Sequence, residues 1–183
     1  MTTRPVKPDP LRTDDPLTLP QVESMLRAVL RVPELYSVAV AKELKVDHFD
    51  RMAEPHCRVL WQTVQAYVAA YGRDALFTQT PAAVRSAIEV EAHAAVMRSP
   101  GDLAEPIRPS LFSSDRHQPG LICWVFSSSA DDCHVPQARD YLARFLSERG
   151  VHRALRQQLA DTDGRPLQNL PALLQAAAAA EIS

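Results

Sequence analysis

The sequence predicts an all-α protein, a small helical bundle followed by an antiparallel helical hairpin. Three observations predict it. Only five of 183 residues are glycine, whereas Ala and Leu, which lose little side-chain freedom in a helix, are abundant. Apolar residues recur at steps of three and four along most of the chain. Prolines fall where these periodic segments open, a position at which the missing N–H costs nothing.

The elements follow in order. Residues 1–18 hold four prolines (Pro5, Pro8, Pro10, Pro16) and no apolar period, so they read as a flexible tail. Residues 19–99 form a helical head. Its first helix opens at Leu19-Pro20 and carries Val22, Met25, Leu26, Val29 and Leu30 at helical spacing. Pro33 punctuates, and Leu35, Val38, Ala39, Ala41 and Leu44 outline a second, short helix. Asp47-His48-Phe49-Asp50 reads as a turn with Phe49 plugging the core. From Pro55 to Tyr71 the positions Val59, Leu60, Val64, Tyr67, Val68 and Tyr71 define a long helix, which Gly72 stops. Thr80 is an N-cap before Pro81, and Val84, Ile88 and Val96 mark the buried side of the helix that follows.

Residues 100–119 contain four prolines and several serines, and read as a loop or insertion. Residues 120–135 are a short connecting element. The apolar run from Leu121 to Phe126 fits a strand or a buried helical turn, and its helical surroundings favour the turn. Residues 136–183 are the hairpin. Ala138, Tyr141, Leu142, Phe145, Leu146, Leu155 and Leu159 form the stripe of its first arm, Asp163-Gly164-Arg165-Pro166 the turn, and Leu170 to Ile182 the return helix. The alanine run at 176–180 needs a partner to pack against, since isolated helices of that length are marginal.

Composition narrows the function. Hydrophobic residues are 46% and charged residues 23%, as in ordinary globular proteins. Aromatics are 6%, so Leu, Val and Ala must build most of the core. Twenty basic residues face 22 acidic ones for a net charge of −2, which argues against nucleic acid as the main ligand. The three cysteines, Cys57, Cys123 and Cys133, are an odd and irregular set. With no apolar leader and no run of about 18 apolar residues, the expectation is a reduced cytoplasmic protein with no membrane span.

No motif carries chemistry. A GxxxxGK[ST] phosphate loop, GxSxG and HExxH are all absent, so neither a catalytic residue nor a cofactor is expected. Cys123, Cys133 and His134, with His117 nearby, offer thiolate and imidazole that zinc favours. They lack a fourth ligand and any paired CxxC or HxxxH element, so no metal site is assigned. His56 and Cys57 are adjacent, but helix neighbours point about 100° apart, and the pair reads as core or surface rather than as an activated nucleophile. Trp61, Tyr67 and Tyr71 read as core and rim rather than a stacking platform. Arg139, Arg144, Arg149, Arg153 and Arg156 line the first hairpin arm. They read as a solvated face opposite the apolar stripe, or as a docking strip for an acidic partner or a DNA backbone.

The ordered series of these segments resembles the N-terminal domain of DnaB-type replicative helicases. Leu19-Pro20-Gln21-Val22-Glu23-Ser24-Met25-Leu26, then Val29-Leu30, is similar to that family's opening helix. His48-Phe49 and His56-Cys57-Arg58-Val59-Leu60-Trp61 look like its "F…H-x-x-I-F" step, and Thr80-Pro81-Ala82-Ala83-Val84 like its "T-x-x-x-V/L" helix. Ala138 to Leu146 with Arg149 to Leu155 resembles the helix that begins the hairpin, and Leu170 to Ile182 the return helix. Gly150 departs from the pattern by replacing a good helix former, and the 100–119 segment is longer than is usual. The resemblance implies an architectural role without chemistry in this chain. It implies self-association as a dimer or higher oligomer and docking of a primase C-terminal domain or a helicase loader. Contact with DNA would be indirect or weak. The ATP-driven motor would lie beyond Ser183, which would then be a domain boundary. Residues Tyr141, Phe145, Arg149, Arg153, Leu155 and Arg156 are the expected partner-binding set. The alternatives are the helicase-binding domain of a primase, which shares a head-plus-hairpin shape, and a stand-alone helical adaptor.

Overall fold

The computed structural model describes residues 16–51, 53–99, 101–127 and 133–161. Among these residues all regular structure is helical, with no strand. The helices are α1 (Leu19–Arg31), α2 (Pro33–Ala41), α3 (Pro55–Tyr71), α4 (Ala75–Thr78), α5 (Pro81–Met97), α6 (Gly101–Phe112), α7 (Leu121–Val125) and α8 (Val135–Asp161). A single 3-10 turn, Val46–His48, lies between α2 and α3. The predicted tail up to residue 15, the turn at 163–166 and the return helix at 170–182 fall outside the described residues.

The central element is α1. Every residue from Met25 to Leu30 is buried, Arg27 included, and a helix buried all round must be surrounded by others. It packs against α2, α7 and α8. At its start the Thr18 N–H donates to Gln21 Oε1 at 2.9 Å, half of a capping box. At its end Val32 takes an extended conformation, φ −114° and ψ 112°, as a residue before proline should. Pro33 then opens α2 at a new angle.

A positive φ of 57° at Glu43 terminates α2. The Leu44 N–H donates to Ala39 O at 2.9 Å and the Glu43 N–H to Val40 O at 3.0 Å, the two bonds of a Schellman motif. Leu44 closes it by entering the core. The next reversal, after α3, rests on Gly72, whose φ of 86° and ψ of 156° lie in a region that is essentially glycine-only.

The segment at 100–119, expected to be a loop, contains the twelve-residue helix α6. Ile107 and Leu111, spaced i and i+4, are buried against α3, α5 and α7, and that burial outweighs the ladder bonds removed by Pro106 and Pro109. Beside it, the His93 ring of α5 stacks on Phe112 with centroids 3.8 Å apart. Among the described residues of that segment, 113–119 form a loop. They return to α6 so closely that a Cβ at Gly120 would sit 2.4 Å from Leu111 O, and the Gly120 N–H donates to Ser113 O at 2.8 Å. Glycine is the residue that allows this approach.

Helix α7 is only five residues long and depends on tertiary support. Arg31 supplies it by donating to Val125 O at 3.0 Å and to Ser127 O, satisfying carbonyls at the helix end. Arg27 donates to Ser127 Oγ at 3.1 Å and lies over the Trp124 ring at 4.9 Å.

The first arm of the expected hairpin is not separate from the head. Ala138, Leu142 and Phe145 of α8 belong to the same core as α1 and α3. The Phe145 ring packs, tilted, at 5.0 Å from that of Phe49, the expected core plug, which in turn lies 6.5 Å from Trp61. Helix α8 runs through Gly150 without a break. Head and first arm are therefore one packed unit, with the boundary at residue 136 crossed by apolar contacts.

Candidate functional site

Two of the six residues in the expected partner-binding set on α8 are turned inward by this packing. Phe145 is fully buried and Arg149 is 2% exposed, so neither is available to a partner in this fold. Tyr141 is half-buried, its hydroxyl accepting from Gln137 Nε2 at 2.8 Å. Leu155 is half-buried and Arg153 exposed. The Arg156 side chain falls outside what the structure describes. Among the other arginines, Arg139 is exposed and Arg144 half-buried. Since α8 advances 100° per residue, Arg139 and Arg144 lie about 140° apart, and they do not form one strip.

Arg149 holds the molecule together instead. Its guanidinium pairs with both oxygens of Glu54, at 2.8 and 3.1 Å. It also donates to His48 O at 3.2 Å and Asp50 Oδ1 at 3.3 Å. Its face covers the Phe145 ring at 4.9 Å. The neighbouring Glu148 pairs with Arg51 and accepts from the Leu17 N–H at 3.3 Å. The 3-10 turn, the start of α3, the entry to α1 and the middle of α8 are thus joined through one ionic network, buried at Arg149 and Glu54 and partly exposed at Asp50, Arg51 and Glu148. Periodicity placed Arg149 opposite the apolar stripe; the acidic pair Asp50 and Glu54, distant in sequence, draws it inward.

The thiol and imidazole set near α8 does not converge either. His134 is the N-cap of α8, its Nδ1 accepting from the Gln137 N–H at 3.3 Å. Cys123 lies 3.9 Å from Arg85 Nη1, and His117 is exposed in the loop. Cys133 lines a small cavity with Arg27, Trp124 and Tyr141.

Convergence occurs at the other pair. Among the described residues, His, Cys and acidic donors gather in a group of three only at Glu23, His56 and Cys57, whose ligand atoms all lie within 4.8 Å of one another. His56 and Cys57 occupy the first turn of α3, behind Pro55, and both are buried. Glu23 reaches them from α1, and its Oε1 meets His56 Nε2 at 2.7 Å. Burial pushes the Cys57 thiol far above its ordinary range, and the Glu23 and Glu54 carboxylates push it further, against a smaller pull from Arg149. At rest it is a protonated thiol, unsuited to nucleophilic attack. The sequence singled out His56 and Cys57 but not Glu23, which sits on α1 between buried Val22 and Met25 and is 33 positions from His56.

Glu23 and His56 also form part of the wall of an open cleft of about 540 Å³. Leu19 and Pro20 of α1, Pro109 and Ser113 of α6, and Leu121 and Trp124 of α7 complete it. The cleft owes its shape to α6, and so to the segment expected to be a loop. Trp61 and Tyr67 lie in the core, and Tyr71 is at the surface, its ring 4.9 Å from Tyr67. No helix among the described residues is long and apolar enough to cross a membrane.

Comparison of the chain with known protein families, curated proteins and solved structures returns no match.

Proposed function

We propose that this chain is a protein-interaction module of the helicase-collar kind, the head and first hairpin arm of a DnaB-type replicative helicase. In this reading it works in the cytoplasm by associating with copies of itself and by docking a primase C-terminal domain or a loader. ATP hydrolysis and strand translocation belong to a separate motor. The observation that carries the reading is the course of α8. Its first half is built into the head's core, and it then continues about three turns beyond Arg149, with Val151, Ala154 and Leu155 partly exposed. A long helix rooted in the head's core that still carries partly exposed apolar positions suits pairing between copies. Three polar residues within the motifs that carry the resemblance, Glu23, His56 and Arg149, all bond inside the head, which fits a common scaffold rather than scattered similarity.

The test is light scattering across a concentration series, with co-purification against the primase C-terminal domain encoded in the same genome. Dimers or larger assemblies are expected, and Val151→Asp with Leu155→Asp is expected to dissociate them while leaving the far-ultraviolet circular dichroism unchanged. A strict monomer at high concentration that retains no primase domain would sink the reading.

A further inference from the structure

We propose that Glu23, His56 and Cys57 form a binding site for a divalent metal ion of the zinc type, opening onto the cleft between α1, α6 and α7.

The donor set is the first ground. One carboxylate, one imidazole and one thiol are the three ligand types zinc takes in proteins, and the mixture with sulfur disfavours calcium or magnesium. Spacing is the second. Zinc bonds of about 2.0 Å to N and O and about 2.3 Å to S, at tetrahedral angles, require donors roughly 3.3–3.5 Å apart. The observed group, within 4.8 Å overall and 2.7 Å between Glu23 and His56, meets this with small side-chain rotations. An ion entering between His56 Nε2 and Glu23 Oε1 replaces one hydrogen bond by two coordinate bonds.

Access and charge complete the case. Glu23 and His56 face the cleft, so an ion has a route in and a water a place as fourth ligand, the open arrangement of a site with three protein ligands. With Glu54 neutralised by Arg149, the charge a dication meets on entry is that of the Glu23 carboxylate, itself one of the three donors. On binding, the Cys57 S–H bond breaks and its proton leaves to solvent through the cleft, the proton between His56 Nε2 and Glu23 Oε1 is given up with His56 left as the neutral Nδ1–H tautomer, and the sulfur and Nε2 lone pairs form bonds to the metal. No oxidant or reductant is involved.

The experiment uses the full chain after dialysis against a chelator, titrated with zinc by calorimetry and with cobalt(II) by absorption. Cobalt reports a thiolate ligand through a sulfur-to-metal charge-transfer band. One equivalent of metal and that band are expected. Glu23→Gln and His56→Ala should each weaken binding by more than about tenfold, and Cys57→Ser should remove the band. The double variant Cys123→Ser/Cys133→Ser leaves Cys57 as the sole thiol, and it decides the matter even if Cys57→Ser does not fold. A retained band supports the site; a band lost in that variant, or absent from the wild type, overturns it.

Discussion

Arg149 and Glu54 meet as a doubly hydrogen-bonded ion pair at the junction of α8 and α3, and each is only 2% exposed. Two charges withdrawn from water in this way are costly singly and tolerable together. The pair therefore acts as a lock between the middle of the long helix and the head.

Removing one partner should be worse than removing both. Arg149→Met strands the Glu54 carboxylate and should lower unfolding free energy by about 3–5 kcal/mol, whereas Arg149→Met/Glu54→Leu should recover much of that. Urea titrations of the wild type, both single variants and the double variant measure the coupling. Additive losses would remove the lock.

His48 provides a pH dependence. Burial, and then the Arg153 guanidinium, hold its imidazole below the ordinary value of 6.5. The unfolded chain binds the proton more readily, so this contribution is complete above pH 6.5 and is lost as the pH falls through the folded-state value. Unfolding midpoints should drop across that window in the wild type, and less steeply in His48→Gln. Parallel curves would assign the effect to other groups.

Cys57 should be silent in the native protein. A thiol-labelling reagent at neutral pH should modify the half-exposed Cys123 and Cys133 and reach Cys57 only on unfolding. Because its folded-state value is raised, the stability it contributes is present below its ordinary 9.0 and is lost as the pH rises above it. Mass spectrometry of labelled peptides checks the first statement, and Cys57→Ala, by flattening the alkaline limb, the second.

Two backbone positions should respond in opposite directions. Glu43 is a non-glycine residue held at positive φ, so Glu43→Gly should raise stability by about 1 kcal/mol. Gly120→Ala should lower it, because the new methyl meets the α6 backbone at Leu111 and Phe112 rather than a flexible side chain. Thermal unfolding of the two variants gives the comparison directly, and a neutral Gly120→Ala would contradict the close approach.

Much of the head was legible because its helices have a strong period and clear ends. Val22 to Leu30, the Pro55–Tyr71 helix stopped by Gly72, and the Thr80 cap all lie where spacing placed them. Phe49 is the core plug that the turn around it suggested. Helix α6 was hidden by Pro106 and Pro109, whose local preference is non-helical, while Ile107 and Leu111 alone were too few to show a period. The four-residue α4 is too short to carry one. At the candidate site, His56 and Cys57 were visible as chemistry-bearing residues, but nothing local marks Glu23 as their neighbour.

By itself the sequence determined the fold class, the periodic helices and their caps, because these depend on residues a few positions apart. It also determined that no phosphate loop or nucleophile motif is present. Only the tertiary structure decided that α8 belongs to the head's core, that Arg149 faces inward, and that Glu23 meets His56 and Cys57 beside a cleft shaped by α6. Those relations join residues from 33 to 131 positions apart. Burial and charge compensation among packed helices set them, and no local propensity encodes either.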